Sequence, residues 1–302
     1  MIDMKKNGYT VEARACADFV GLDLIGENIR LSRVAKLNEE CVGSLRFASV
    51  FSDQYVQLLN KVEHSLVIAL PDYRGKLDIP HIISEDPRLH FCIIANEFFA
   101  PETNNNKIEK TARLGENLSI GQNVYIGHNT VIEDNVIIGS GSTILHNVVI
   151  SQNCKVGKEC LIKSGSIIGQ RGFGFQRDFS NIPISFPHYG AVFIGNNVEV
   201  GASNTIASGS LGNTIIEDNV KIDDQVHIAH NSHIGRNSII TAQANILGSV
   251  SIGENTYVGG GAIIRDGRKV GDNCFLGMGS VVVKTVSDKS TVIGNPAKPL
   301  MR

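Results

Sequence analysis

The sequence predicts a mainly β protein in which a parallel β-helix follows a small N-terminal α/β domain. Three observations favour this fold class. An aliphatic residue recurs every six positions through the last two thirds of the chain, asparagine often follows it by three positions, and aromatic residues make up only 6% with no tryptophan. A period of six matches neither an amphipathic helix nor an alternating strand. It fits a short strand plus a tight turn, three of which close one triangular coil.

The periodic aliphatic residues form two runs. The first run is Leu114, Ile120, Ile126, Ile132, Ile138, Ile144, Ile150, Val156, Ile162 and Ile168. The second is Ile194, Val200 and Ile206, then, after a four-residue shift, Ile216, Ile222, Ile228, Ile234, Ile240, Ile246, Ile252, Val258, Ile264, Val270, Leu276 and Val282. We expect each to point inward and to stack on its equivalents in neighbouring coils. The position two before is mostly small or β-branched, as at Val124 and Thr130, which predicts a second inward site. Asparagine tolerates the positive φ that sharp corners need, so residues such as Asn117 and Asn123 are predicted corners.

Residues 1–105 lack the period and predict a separate small α/β domain, while residues 106–302 form the β-helix domain. The strand-like runs are Ser65–Leu70 and Phe91–Ile94, and the helix-like runs are Ser52–Val62 and Leu89–Phe99. The polar segment Thr103–Asn106 is a predicted linker between the two domains.

An excursion at residues 170–190 interrupts the repeats and collects aromatic residues that the coils avoid. It contains Gly172, Phe173, Gly174 and Phe175 in succession. Loops expelled from a solenoid commonly carry the binding surface, so this segment is a predicted substrate-binding loop. In the alternative interpretation, the two phenylalanines only pin the loop to the β-helix.

Charge and composition exclude several classes of protein. With 28 basic and 30 acidic residues, the chain offers no sign of nucleic-acid binding. No apolar run approaches the roughly 20 residues that span a bilayer, and no apolar segment follows the first residues, so we expect a cytoplasmic protein without membrane insertion. The six cysteines are scattered without a C-x-x-C pair, which argues against a disulfide or metal framework. Cys154 and Cys160 are interpreted as small interior residues.

Three histidines at spacing three, His227, His230 and His233, follow Asp223 and Asp224 in the middle of the second run. His230 falls on a predicted corner, whereas the other two precede a periodic aliphatic and should point outward. Histidine is the usual base near neutral pH, so one of the three is a candidate general base, with Asp223 as an orienting partner. The alternatives are three solvated histidines or a metal cluster.

Six segments and Tyr55 together resemble the UDP-3-O-acylglucosamine N-acyltransferases of lipid A synthesis, within the hexapeptide-repeat acyltransferases. These segments are Gly43–Ala48, Glu85–Leu89, Ile168–Phe175, Val200–Ile206, Thr214–Ile216 and Ile222–Asn231. The resemblance implies a left-handed β-helix and a homotrimer with active sites between subunits. It also implies an acceptor that is a nucleotide-activated, UDP-linked amino sugar and a phosphopantetheine thioester as acyl donor, with no bound cofactor and no metal.

The resemblance also assigns roles to particular residues. His230 matches the family's catalytic histidine, and Phe47 and Tyr55 match the aromatic pair that sandwiches uracil in the nucleotide-binding domain. The loop of Gly172 to Phe175 becomes an acyl-binding loop. In the expected mechanism of direct transfer, His230 accepts a proton from the sugar amine, and a backbone N–H near Gly248, one coil beyond, stabilises the oxyanion.

Two departures from the family's pattern leave the acyl donor open between acyl-carrier protein and acyl-CoA. The family's second functional histidine, in a later coil, is replaced by the segment Arg265–Arg268, and its long helical C-terminal tail has no counterpart. Instead, the segment Val292–Pro299 resembles CoA-dependent sugar acetyltransferases, which makes Asn295 and Lys298 predicted donor contacts. The alternatives are therefore an acetyl-CoA-dependent nucleotide-amino-sugar N-acetyltransferase for O-antigen or capsule, and a non-catalytic β-helix scaffold.

Overall fold

The computed structural model describes residues 10–100 and 106–300. The chain divides into two compact units, Met1–Thr103 and Asn104–Arg302. Apart from Asn106, the predicted linker at 103–106 lies outside the described residues. None of the helices in the described ranges has the length and apolar character needed to cross a membrane.

The first unit contains a five-stranded sheet with helices on both faces. The strands of this unit are β1 (Val11–Glu12), β2 (Leu24–Ile25), β3 (Arg30–Leu31), β4 (Arg33–Val34), β5 (Ser44–Ala48), β6 (Ser65–Ala69) and β7 (His81–Ile83). Its helices are α1 (Ala13–Phe19), α2 (Asp53–Leu59) and α3 (Pro87–Phe98), and a 3-10 turn spans Pro71–Tyr73. The sheet order is β2-β7-β6-β5-β4, with only β2 antiparallel, while β1 pairs with β3. Alternate residues of β5 and β6 feed two apolar clusters, one beneath α1 and α3 and one beneath α2.

Side-chain caps begin both of the predicted helices. The Ser52 hydroxyl accepts a hydrogen bond from the N–H of Tyr55 at 3.1 Å, and Asp86 accepts one from the N–H of Leu89 at 3.0 Å. Both helices are thus confirmed with slightly different ends. The predicted strand Phe91–Ile94 is wrong, because Asp86 and the following proline start a helix that runs through these residues.

The second unit is a parallel β-helix with three sheets, which we name sheets I, II and III in the order in which each coil visits them. Sheet I contains Lys107–Ile108, Tyr125–Ile126, Thr143–Ile144, Leu161–Ile162, Glu199–Val200, Lys221–Ile222, Ile239–Ile240, Tyr257–Val258, Phe275–Leu276, Thr291–Ile293 and Lys298–Pro299. Sheet II contains Arg113–Leu114, Val131–Ile132, Val149–Ile150, Ile167–Ile168, Thr205–Ile206, His227–Ile228, Asn245–Ile246, Ile263–Ile264 and Val281–Val282. Sheet III contains Ser119–Ile120, Ile137–Ile138, Lys155–Val156, Val192–Ile194, Thr214–Ile216, His233–Ile234, Ser251–Ile252 and Lys269–Val270. This arrangement confirms the predicted fold class.

The periodic aliphatic residues line the interior. Ile126, Ile144 and Ile162, which stack in sheet I, are fully buried, as are most of their equivalents. Leu114 departs from the expectation, since 42% of it is exposed. It lies in the terminal strand of sheet II, so no preceding strand of that sheet covers it.

The corners and the second inward site also follow the pattern of the sequence. The corner asparagines have positive φ, for example 53° at Asn117 and 55° at Asn123. The buried hydroxyl of Thr130 donates to the carbonyl of Leu145 at 2.6 Å and accepts from the N–H of Val148 at 3.2 Å, so it links two coils. Cys154 and Cys160 are buried as predicted, and burial raises the pKa of Cys154 to about 11.

Two excursions leave the β-helix at the edge between sheets II and III. The longer one, at 170–190, contains a hairpin of Phe175–Arg177 and Pro183–Ser185, and the shorter one spans 207–213. The corners that hold His230 and Gly248 follow sheet II strands, so they lie on this same edge. This edge, which we name the II–III edge, therefore brings together residues that are far apart in sequence.

Candidate active site

His230 lies half-buried in a cleft on the II–III edge. A Cβ added at Gly248, one coil beyond, would lie 2.7 Å from Nε2 of His230. A Cβ added at Gly172 would lie 3.0 Å from the Cβ of His230 and 3.2 Å from its Cδ2. The ring of His188 meets that of His230 edge to face, with ring centroids 5.5 Å apart. Glycines at positions 172 and 248 therefore leave just enough room for the imidazole.

A hydrogen-bond chain fixes the tautomer of His230. The backbone N–H and the hydroxyl of Ser210 donate to Oδ1 of Asn231 at 3.1 and 2.7 Å, so this atom of the carboxamide is the oxygen. The same oxygen lies 3.2 Å from Nδ1 of His230. Because a carboxamide oxygen only accepts, Nδ1 carries the hydrogen, and in the neutral ring Nε2, on the side of Gly248, is the nitrogen with the lone pair.

Two free backbone donors lie next to this base. At several equivalent corners, though not at all of them, a side chain from the next coil caps the N–H: that of His128 donates to Nδ1 of His146 at 2.9 Å, and that of Glu254 to Asp272 at 2.8 Å. Gly248 offers no such side chain to His230. Within residues 10–100 and 106–300, the N–H groups of His230 and Gly248 make no hydrogen bond. Free N–H groups beside a base are what stabilisation of an oxyanion requires.

The other two histidines of the cluster lie outside this cleft. His227 is half-buried on sheet II, where burial lowers its pKa and the nearby His230 lowers it further. His233 lies on sheet III, and its Nε2 is 2.8 Å from Oε1 of Glu217. In the part of the chain that the structure describes, no group of three or more His, Cys, Asp or Glu side chains is arranged to hold a metal ion.

The structure does not bring Asp223 to His230 within one chain. Asp223 follows a strand of sheet I, so it lies at the edge between sheets I and II, one side of the triangle away. Its Oδ1 accepts from the N–H of Asp224 at 2.8 Å. Within the chain, the residue that lies beside Nδ1 of His230 and can orient the ring is Asn231.

The glycine–phenylalanine segment passes directly over the cleft. Gly172 and Gly174 both pack against the ring of His188. A Cβ added at Gly172 would lie 2.8 Å from Nε2 of His188, and one added at Gly174 would lie 3.3 Å from its Cε1. Phe173 and Phe175 contact each other edge to face, with 88% and 51% of each residue exposed. No ring contact joins either phenylalanine to the β-helix among the described residues, and pinning of the loop stays the alternative. Their expected contact with an acyl chain remains a prediction.

The two predicted nucleotide-binding rings are not stacked around a common space. Phe47, on β5, packs against Phe91 of α3 with ring centroids 4.8 Å apart, in the cluster beneath α1 and α3. Tyr55 lies on α2, which packs on the other face of the sheet, and it is partly exposed. No ring contact joins the two among the described residues, and their role remains a prediction.

The predicted donor contacts lie at the far end of the β-helix. Asn295 and Lys298 are exposed and belong to the turn and the antiparallel strand that follow Thr291–Ile293. They are more than three coils beyond His230, or roughly 15–20 Å at a spacing of about 4.8 Å between strands. Their contact with a donor stays a prediction.

Three residues of the site carry no functional signal in the sequence. Asn231 has a φ of 59° and looks like any other corner asparagine. Ser210 and His188 lie in excursions without periodicity, so only the fold brings them to His230.

Comparisons with known proteins agree with this geometry. The family described as bacterial transferase hexapeptide (six repeats) matches residues 111–146, 135–170, 213–248 and 249–284. Among solved structures, UDP-N-acetylglucosamine acyltransferase from Campylobacter jejuni aligns with a TM-score of 0.53 and 27% identity over 66% of this chain and 73% of that chain. The corresponding Francisella novicida enzyme, at 24% identity, shares the fold, with a TM-score of 0.59 over 64% of this chain and 70% of that one. Fold and site thus define an acyltransferase of the hexapeptide-repeat class.

Curated relatives define the family. UDP-3-O-acylglucosamine N-acyltransferase 2 of Legionella pneumophila (strain Paris) is 45% identical over 292 residues, which cover 90% of this chain and 84% of the relative. A UDP-3-O-acylglucosamine N-acyltransferase of Helicobacter hepaticus is 35% identical over 75% of this chain and 72% of the relative. The chain belongs to the UDP-3-O-acylglucosamine N-acyltransferase family. It is an enzyme, so the alternative of a non-catalytic scaffold is set aside.

Proposed function

We propose that the enzyme transfers an acyl group from a phosphopantetheine thioester to the amino group of a UDP-linked, 3-O-acylated glucosamine, in the cytoplasm. The names of the relatives support this acceptor. One observation in the structure carries the chemistry: Asn231 holds Nδ1 of His230, so Nε2 is the nitrogen of the neutral ring that can act as base, in a cleft where the N–H of Gly248 is free.

The reaction follows from this arrangement. The acceptor nitrogen attacks the thioester carbonyl, and Nε2 of His230 takes a proton from it. The N–H of Gly248 donates to the carbonyl oxygen as negative charge develops there. The tetrahedral intermediate then expels the thiolate, which receives the proton from His230 and leaves as a thiol. Asn231 holds Nδ1 so that Nε2 keeps facing the reacting nitrogen.

Replacement of His230 tests the role of the base. Positioned proton transfer contributes about 10²–10⁴ in rate, so we expect His230→Ala to lower kcat by at least 10². The β-helix does not depend on this half-buried corner side chain, and Tm should stay unchanged. A folded His230→Ala enzyme with wild-type kcat would remove His230 from the mechanism.

The acyl donor is the finer part of the proposal. The exposed rings of Phe173 and Phe175 beside the cleft favour a long acyl chain, which acyl-carrier protein would deliver. The resemblance of the segment Val292–Pro299 to CoA-dependent sugar acetyltransferases favours the alternative, acetyl-CoA. Incubating the enzyme with both donors and UDP-amino sugars, followed by mass spectrometry of the products, identifies the acceptor and the acyl group together. If every product carries an acetyl group and none carries a long acyl chain, the long-chain donor is refuted.

We further propose a homotrimer in which the carboxylate of Asp223 polarises His230 of a neighbouring chain, since the two residues are apart within one chain and Asn231 already orients His230. Co-expression of His230→Ala and Asp223→Ala chains tests this. Mixed trimers would contain some interfaces with both native residues and would recover activity that neither variant has alone. No recovery, or a fully active Asp223→Ala homotrimer, would refute the shared site.

A further inference from the structure

We infer that His188 is a second histidine of the active site and that its Nε2 accepts a hydrogen bond from the acyl-acceptor amine. The inference rests on the proposed function, which it deepens by assigning a residue that selects an amine over a hydroxyl. His188 lies in the excursion at 170–190, outside the repeats.

The tautomer of His188 follows from its backbone contact. Nδ1 lies 2.9 Å from the carbonyl oxygen of Phe186. A carbonyl only accepts, so Nδ1 carries the hydrogen, and in the neutral ring Nε2 presents a lone pair. That Nε2 atom is buried and has no hydrogen-bond partner among the described residues. A buried acceptor without a partner is unfavourable, and such atoms are rare in folded proteins.

The unpartnered nitrogen is part of the cleft that holds His230. The rings of His188 and His230 meet edge to face at 5.5 Å, and a Cβ at Gly172 would lie 2.8 Å from Nε2 of His188 and 3.0 Å from the Cβ of His230. The backbone of Gly172 is therefore what covers this nitrogen. Gly172 and Gly174 flank the exposed Phe173, so a small shift of this segment on substrate binding uncovers the lone pair. Among the described residues, His230 is the titratable group in ring contact with His188.

The rings of His188 and His230 are in contact, and their two lone pairs match the chemistry of a primary amine. The amine has two N–H bonds and one lone pair, so it can donate to Nε2 of both histidines while its lone pair faces the thioester carbon. A hydroxyl has a single hydrogen and leaves one histidine without a partner. In the reaction the C–N bond forms and the C–S bond breaks. One N–H proton passes through His230 to the sulfur, and the second stays on nitrogen as the amide N–H, still bonded to His188.

Two substitutions of His188 separate hydrogen bonding from packing. His188→Phe keeps an aromatic ring but has no acceptor, and we expect kcat/KM for the amino sugar to fall about 10–10²-fold. His188→Gln places a carboxamide oxygen near the position of Nε2 and should recover most of that loss. The preference for the amine over the matching hydroxyl analogue should fall in His188→Phe and return in His188→Gln. His128→Phe, at a corner of the I–II edge, is the matched control and should behave as wild type.

The outcomes distinguish this inference from the proposed function. If the wild-type enzyme acylates the amine and His188→Phe matches it in kcat/KM and in amine preference, His188 has no such role. A His188→Gln enzyme as slow as His188→Phe also overturns the inference. If the wild-type enzyme acylates no amine, the proposed function fails instead. In that case, nitrogen NMR of the resting enzyme still tests the tautomer, since a hydrogen on Nε2 of His188 would exclude an acceptor there.

Discussion

Replacement of Gly248 by alanine is the most direct test of the site geometry. The added Cβ would lie 2.7 Å from both Nε2 and Cε1 of His230, whereas non-bonded atoms ordinarily meet at about 3.5–4.0 Å. The imidazole must therefore retreat by roughly 1 Å, and a misplacement of that size costs about 10² in rate. Gly248 does not have a positive φ, so alanine suits its backbone. We expect kcat to fall about 10²-fold while Tm stays unchanged.

Gly260 supplies a matched control for this experiment. It follows Val258 by two positions, as Gly248 follows Ile246, but it lies on the I–II edge. A Cβ there would be 3.4 Å from its nearest neighbour, the carbonyl oxygen of Ala242, so Gly260→Ala should retain wild-type kcat. Steady-state kinetics gives kcat and thermal unfolding gives Tm for both variants. A Gly248→Ala enzyme with wild-type kcat would refute the reasoning, and an equally slow Gly260→Ala enzyme would assign the loss to the β-helix.

Three further predictions concern the surroundings of the site. Asn231→Asp keeps an acceptor at Nδ1 of His230 but adds a negative charge that favours the imidazolium. The acid limb of the pH–rate profile should therefore move to higher pH. An acid limb at the wild-type pH would contradict the contact between Asn231 and His230. Burial lowers the pKa of His227 from its ordinary value of 6.5, so the unfolded chain binds its proton first as pH falls, and stability should decline below about pH 6.5. Thermal unfolding of His227→Gln should show a weaker pH dependence, and an identical one would contradict this. Stacking of Tyr55 on uracil would be worth about 1–3 kcal/mol of binding free energy, so Tyr55→Ala should raise KM for the UDP-sugar about 5–150-fold with little change in kcat. An unchanged KM would exclude this stacking.

The sequence predicted the parts of the site that belong to the repeat. His230 at a corner and Gly248 one coil later follow from counting in sixes and eighteens, because the strand before His230 pairs with the strand 18 residues on. Asp223 shows the limit of this counting. A separation of seven residues looks close in sequence, yet it crosses from one edge of the triangle to the next. The strand predicted at Phe91–Ile94 failed for a local reason, since apolar runs of this length suit a strand or a helix equally, and only the Asp86 cap decides.

The sequence by itself determined the β-helix, its interior and its corners, because side-chain size and backbone preference repeat with the period of the coil. Only the tertiary structure decided which groups surround His230. Ser210 and His188 come from excursions with no period, and they reach the cleft because both excursions leave the coil at the edge where His230 lies. Hydrogen-bond direction then sets each tautomer, and that direction depends on distances between atoms that are distant along the chain.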